Sequence, residues 1–280
     1  MATSHLRRGS VIAEQSSAAN AISARQRRQV IRQAVVDRGF VRIDELAQTF
    51  DVSVMTIHRD LDLLESEGWL RKVRAGATAQ PSEFHHGDVG YRAHTMGDAK
   101  RLLAAEALQL ISPGQAIMID DSTTALTLAD RLPEREPLTV ITNFLAGIKR
   151  LAGEPGIDLV ALGGAYYPAY DAFLGMRTCE AIETLRADYL FMSTTAVTGG
   201  QCYHQSQETV LVKRALMKAA AKKVLLIDHT KFEKNGLHQL APLTDFDLVI
   251  IDPETPERHI RALESQGVTL LVAGASSSQN

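Results

Sequence analysis

Residues 43–78, IDELAQTFDVSVMTIHRDLDLLESEGWLRKVRAGAT, carry two apolar periodicities separated by a break. Leu46, Ala47 and Phe50 recur at helical spacing, and Asp51-Val52-Ser53 interrupts them. Ser53 is a good N-cap for a second helix, because a serine hydroxyl accepts from a backbone N–H of the first turn. Ile57, Leu61 and Leu64 then form an apolar stripe that faces the first helix. Gly68 ends the second helix, and the mixed apolar and basic run from Trp69 to Arg74 predicts an exposed two-stranded wing.

Two facing helices joined by a turn describe a helix-turn-helix, whose second helix enters the major groove by its N-terminal end. The side chains off the stripe there are Ser53, Met55, Thr56, His58 and Arg59. An arginine forks onto a guanine edge or a phosphate, a threonine reaches either, and a methionine touches a thymine methyl. Arg71, Lys72 and Arg74 suit the flanking phosphates. A small helical hairpin with ordinary solvated charges accounts equally well for the helix pair alone. The wing, the capping serine and the basic cluster together favour a DNA reader.

The run Ser53-Val54-Met55-Thr56-Ile57-His58-Arg59-Asp60-Leu61, followed by a wing ending in Gly76-Ala77, resembles the DeoR family of bacterial transcription regulators. That family more often has arginine at the position of His58 and a Gly-Gly pair at Ala75-Gly76. Neither departure breaks the motif. Histidine is a shorter and conditional donor, so His58 bears on which bases are read.

Upstream, residues 25–38 form an amphipathic helix with Gly39 as its C-cap. Its Arg25, Arg27, Arg28 and Arg32 suit either a DNA backbone or a solvated face. Residues 1–23, rich in Ser, Ala and Gln, read as a disordered arm. Arg7 and Arg8 have no apolar core after them, so no secretory signal is expected there. The helix-turn-helix domain is set at 24–78 and a linker at 79–96. The His85-His86 pair in the linker has no ligand-spaced Cys or carboxylate cluster beside it, so no metal is expected. Residues 1–80 carry a net charge of +3 and the remainder −6, a basic head on an acidic body. The two cysteines, Cys179 and Cys202, form no disulfide framework. No apolar run reaches the roughly 18 residues of a membrane span, so a cytosolic location and no membrane partner are expected.

Residues 97–274 alternate helix and strand, with a short tail at 275–280. Apolar runs at 116–119, 138–141, 159–162, 190–192, 224–227, 248–251 and 268–272 are separated mostly by amphipathic segments. This predicts an open, mainly parallel α/β sheet, in which ligands collect beyond the carboxyl ends of strands. Five polar clusters stand there: Asp120-Asp121-Ser122-Thr123-Thr124, Thr142-Asn143, Gly163-Gly164 leading to Tyr166, Tyr170 and Asp171, Ser193-Thr194-Thr195, and Asp228-His229-Thr230-Lys231. Taken singly, each residue is better read as a cap or turn. Taken together they suit a small phosphorylated sugar or polyol, with hydroxyls and backbone N–H groups at a helix start holding the anion. Lys231 adds charge, and Asp120 and Asp228 accept from sugar hydroxyls. Glu208 reaches the ligand or forms a surface ion pair.

This half also resembles the DeoR effector domain, which is related in fold to ribose-5-phosphate isomerase and CoA transferases. The matching residues are Asp120 with Thr123-Thr124, Thr142-Asn143, Gly163-Gly164, Gly175, Asp188, Glu208 with Lys213-Arg214, and Asp228 with Lys231, so that the resemblance spans roughly 25–252. It implies a repressor of a carbohydrate-use operon, released from double-stranded operator DNA by a phosphorylated intermediate. Ser122 stands where the family usually has glycine, and Tyr167 where it often has a basic residue. Both bear on the ligand. Helix-turn-helix readers usually need two half-sites, so a homo-oligomer, dimer or tetramer, is expected. No cofactor is implied. A sugar-phosphate isomerase or CoA transferase with a helical appendage is the competing reading. Its acid and base candidates are Asp120, Asp121, Glu208 and Asp228, with Lys231 as electrophile. A third reading is an architectural DNA-binding protein whose second domain only oligomerises.

Overall fold

The structure is a computed structural model that describes residues 23–38, 40–66, 69–78 and 89–274. The arm up to residue 22, the helix-ending Gly39 and Gly68, the His85-His86 pair and the tail from 275 lie outside the described residues. The chain divides into two compact units, one up to Gln80 and one from Pro81.

The first unit holds α1 (Ala24–Arg38), β1 (Phe40–Arg42), α2 (Ile43–Thr49), α3 (Val54–Ser66), β2 (Arg71–Val73) and β3 (Gly76–Thr78). Ser53 caps α3, its Oγ accepting from Thr56 N at 3.1 Å. Ile57, Leu61 and Leu64 are sealed against Ile31, Val35, Leu46 and Leu70, so the apolar stripe of α3 is the centre of this core. The wing hairpin gains a third strand, because β1 pairs with β3 and the sheet order is β1-β3-β2. The sequence reading missed β1, since three residues are too short to display alternation. Gly76 begins the central strand, where a Cβ would come within 2.3 Å of Val41 O, so the close approach of β1 requires glycine. Ala75, in the hairpin turn, adopts φ 71°, a conformation that costs an alanine energy.

In the second unit all seven apolar runs are strands of one parallel sheet. They are β4 (Ala116–Ile119), β5 (Leu138–Thr142), β6 (Ile157–Ala161), β9 (Ala187–Met192), β12 (Ala220–Ile227), β14 (Leu248–Ile251) and β15 (Leu270–Val272). Their spatial order is β15-β14-β12-β9-β4-β5-β6. From β4 the chain builds outward to β6, then returns to lay β9 on the other side of β4 and builds outward again. The order therefore reverses between β4 and β9, which is the switch point of a doubly wound sheet.

Alternate strand residues enter two cores, as the two-residue period of a strand requires. Ile117, Ile119, Val140 and Leu226 pack with α5 (Gly97–Gln109), α6 (Thr123–Ala129) and α7 (Leu145–Leu151). Met118, Ile141, Leu225 and Ile227 pack with α8 (Met176–Glu183), α9 (Gln207–Ala219) and α10 (Glu257–Ser265). Asp188 steadies the centre by accepting from Ala116 N at 2.8 Å. Two small antiparallel sheets sit outside this frame, the hairpin β7 (Ala165–Tyr167) and β8 (Ala172–Leu174), and the trio β10 (Ala196–Thr198), β11 (Gln201–His204) and β13 (His238–Pro242). Neither has an apolar run long enough to be seen in the sequence. Residues 89–94, read above as linker, form a helix, α4 (Val89–His94). No helix among the described residues is long and apolar enough to cross a membrane.

Candidate functional site

Two surfaces carry chemistry. On α3, Met55 is 63% exposed and Arg59 is exposed, while Thr56 and His58 are half-buried. Ser53 Oγ and Thr56 Oγ1 share a hydrogen bond of 2.9 Å. In the wing Arg71 and Arg74 are exposed, whereas Lys72 pairs its ammonium with Asp62 and donates its backbone N–H to Glu65 Oε1 at 2.7 Å. Lys72 thus ties the wing to α3. Of the arginines on α1, Arg27 is buried. Its Nε reaches Asp60 Oδ2 at 2.6 Å, and Arg28 Nη1 lies 3.2 Å from Asp60 Oδ1. Arg32 lies over the ring of Trp69.

The second surface is a cleft beyond the carboxyl ends of β4, β9 and β12. Ser122, Thr123 and Thr124 follow β4, Ser193, Thr194 and Thr195 follow β9, and Asp228, Lys231 and Lys234 follow β12. Arg92, Thr95 and Met96 from α4 and its turn, with Lys100 from α5, complete the wall. Lys100 Nζ donates to Thr123 Oγ1 at 3.0 Å and to the carbonyl of Arg92. Thr123 Oγ1 donates to that same carbonyl at 3.2 Å, so α4, α5 and α6 are pinned together at the rim. Asp228 caps the turn that carries Lys231, its Oδ1 accepting from Thr230 N at 3.1 Å. Its Oδ2 lies 3.2 Å from Lys231 Nζ. Burial alone would raise the Asp228 pKa, but Lys231 and the Thr230 hydroxyl hold it below the usual carboxylate range.

The cations crowd one another. Burial and the nearby charge of Lys231 pull Lys100 down to about 7 and Lys234 to about 8. Four cationic side chains face a single carboxylate, Asp228, on this wall. The wall is therefore rich in positive charge, with Asp228 and several hydroxyls between the cations. The start of α6, expected to hold the anion, lines the cleft through Ser122, Thr123 and Thr124; α6 is seven residues long, and Ser122 uses its hydroxyl to cap Ala125 N at 3.1 Å. Side-chain cations stand beside it on the same wall. Arg92, Lys100 and Lys234 were not foreseen. One signal was available for Lys100: it stands on the apolar stripe of α5 with Leu103, Ala104 and Ala107, where a lysine has no reason to be unless it is used.

Of the expected effector residues, Ser122, Thr123, Thr124, Thr194, Asp228 and Lys231 come together here. Asp120, Asn143, Gly163, Gly164 and Glu208 do not line the cleft. Asp120 is fully buried: Oδ1 accepts from Ser122 N at 3.1 Å, and Oδ2 from Ser193 N at 3.0 Å and from Lys213. It joins the tips of β4 and β9 and is sealed from solvent. Asn143 is buried and donates to Phe173 O at 3.0 Å. Gly163 and Gly164 fold around Thr178, whose hydroxyl donates to Gly163 O at 2.8 Å. Glu208 is exposed on the first turn of α9 and accepts from Ser206 at 3.1 Å. Asn143 and the two glycines follow β5 and β6, which lie on the far side of β4 from β9 and so beyond the switch point. Tyr167 does not line the cleft either.

The structure contains a tight carboxylate pair with a partnered lysine. Lys213, buried on α9, pairs with Asp120 and lies 3.1 Å from Asp121 Oδ1. Burial opposes its charge, and the two carboxylates raise its pKa nonetheless. Asp121 is held low against burial by Lys213, His204 and Arg92. None of Asp120, Asp121 and Lys213 lines the cleft. Among the described residues no group of His, Cys, Asp and Glu is placed to hold a metal ion.

Comparison with known proteins identifies both units. Residues 27–83 match the DeoR-like helix-turn-helix domain, and residues 95–253 match the DeoR C terminal sensor domain. The chain is 32% identical to the uncharacterized HTH-type transcriptional regulator YgbI of Escherichia coli K12, across 89% of this chain and 97% of that protein. It is 32% identical to the L-fucose operon activator of Haemophilus influenzae, covering 82% and 93% of the two chains. The glycerol-3-phosphate regulon repressor of the same organism is 29% identical, covering 88% and 96%. Among solved structures, ribose 5-phosphate isomerase A from Methanocaldococcus jannaschii aligns at 16% identity and a TM-score of 0.36, over 49% of this chain and 54% of that one, and carries no argument at that score.

Proposed function

The chain belongs to the DeoR family of transcription regulators, and from that premise we propose that it is a cytosolic repressor of a carbohydrate or polyol operon. It binds double-stranded operator DNA as a homo-oligomer, reading bases through Arg59, Thr56, Met55 and His58. Ser53, Arg71, Lys72 and Arg74 serve the backbone. A phosphorylated sugar or polyol binds the cleft at the switch point and releases the DNA. Family membership makes the protein a DNA-binding regulator rather than an isomerase or CoA transferase with a helical appendage.

The observation that carries the effector reading is the charge on the cleft wall, four cationic side chains against Asp228, with threonine and serine hydroxyls between. Polyol hydroxyls suit Asp228, Thr194 and Thr124. Release requires that the effector bind one state of the oligomer better than the other, a coupling of typically about 1–3 kcal/mol.

The test is fluorescence-anisotropy titration of DNA upstream of the gene and its neighbours, at fixed salt, with and without a panel of sugar and polyol phosphates. Specific binding weakened by one compound is the expected result. Binding strengthened by one compound would make the protein an activator, the sense in the name of the L-fucose operon relative. Binding indifferent to every phosphorylated compound would sink the effector reading, and turnover of a compound without DNA binding would restore the enzyme.

A further inference from the structure

We infer that Asp60 is the residue that positions the recognition helix, setting the rotation of α3 and hence where Arg59 points. The inference rests on the DNA-reading role of α3. Asp60 follows Arg59 directly, yet its carboxylate is turned away from solvent and is only 4% exposed. Both oxygens are engaged by α1: Arg27 Nε at 2.6 Å on Oδ2 and Arg28 Nη1 at 3.2 Å on Oδ1. α3 is otherwise attached to the unit's core through apolar Ile57, Leu61 and Leu64, and to the wing through the exposed Asp62 and Glu65, which hold Lys72. Apolar contact is non-directional and tolerates a helix turning or sliding by a fraction of a residue. A charge-assisted pair held from two sides does not.

The lever is long. With side chains a helix is about 10–12 Å across, so a long side chain ends about 5–6 Å from the axis and a rotation of roughly 20° displaces its tip by about 2 Å. That displacement exceeds the tolerance of a bidentate contact to a base edge. The same pairing sets one carboxylate against two cations of α1 and lowers its DNA-attracting charge by one. Asp60 therefore acts on specificity from two sides, aiming Arg59 and restraining contacts that carry no sequence information.

The experiment uses the full chain, wild type and the variants Asp60→Asn and Arg28→Met, each allowed to select from a pool of randomised duplexes. The affinity of each for its best duplex and for a scrambled duplex is then measured against salt. Asp60→Asn keeps the shape and removes the charge. Arg28→Met breaks only the outer arm and leaves the buried Arg27 pair intact, so it keeps the fold. For Asp60→Asn, specific affinity should fall at least tenfold while scrambled-duplex affinity holds or rises. The salt slope on the scrambled duplex should steepen by about one for each arginine released. Arg28→Met should lose a smaller factor, about threefold, in the ratio of specific to scrambled binding, with a flatter selected motif. Equal losses on both duplexes, or an Arg28→Met motif identical to that of the wild type, would reduce Asp60 to a structural ion pair. A wild-type protein that enriches no motif at all would instead overturn the DNA-reading role on which the inference rests.

Discussion

The lysines of the cleft make effector binding a proton-linked event. Lys100 titrates at about 7 and Lys234 at about 8 when the cleft is empty, because burial and the Lys231 charge oppose their protonation. A phosphate dianion among them favours the charged forms and returns both toward the ordinary lysine range near 10. The sign follows directly. In the empty protein these groups shed protons as pH rises through 7 and 8, so binding above that range must take protons up. Affinity therefore falls as pH rises. With both lysines required in their charged form, apparent affinity drops about tenfold from pH 7 to 8 and about a further fiftyfold from 8 to 9. The second ionisation of a phosphate monoester lies near pH 6, so the ligand is already a dianion over most of this window and contributes little to the trend. The assay is isothermal titration calorimetry of an effector phosphate, without DNA, at each pH and in two buffers of different ionisation heat. The buffer dependence counts protons, and about two should be taken up per ligand at pH 9. Lys100→Met should remove about one of them. An affinity flat between pH 7 and 9, or net proton release on binding, would refute the reasoning.

Three shorter predictions accompany it. Arg59→Ala should cost operator binding about 1–3 kcal/mol and relax preference at one base position, read by competition among single-base operator variants; unchanged affinity and preference would remove Arg59 from the contact set. Lys231→Met should leave operator affinity as it is and abolish the effector response, and a retained response would place the anion elsewhere on the wall. Ala75→Gly should stabilise the first unit by about 1 kcal/mol, because φ 71° costs an alanine but not a glycine. Trp69 is the chain's single tryptophan and packs against this unit's core, so its fluorescence in a urea titration reports on that unit. A lower midpoint would show that the Ala75 methyl contributes more than its backbone costs.

Much of the architecture could be read from local pattern. The stripe Ile57, Leu61 and Leu64 and the cap Ser53 placed α3, and each of the seven apolar runs became a strand. The reason is physical: a strand buried on both faces must be apolar throughout, and a helix on a core must repeat every three to four residues. What lacked such a pattern was missed. The three-residue β1 and β8 are examples, as is α4, whose six residues sit in a stretch punctuated like a loop.

The candidate site divides along the same line. Residue types and their place after strands were enough to put Ser122, Thr123, Thr124, Thr194, Asp228 and Lys231 at one edge, where they line one cleft, because chain direction alone says which ends of parallel strands share an edge. Spatial strand order is not written in the sequence. Only the fold decided that β9, and not β5, borders the cleft with β4. Asp120 therefore closes on Lys213, while Asn143, Gly163 and Gly164 fall outside. Likewise only the fold could bring Arg92 and Lys100 across from α4 and α5 to the tips of β4 and β12. Charge gathered from three separated segments comes onto one wall through long-range packing. A sequence shows each of those lysines and arginines, but not that they share one wall.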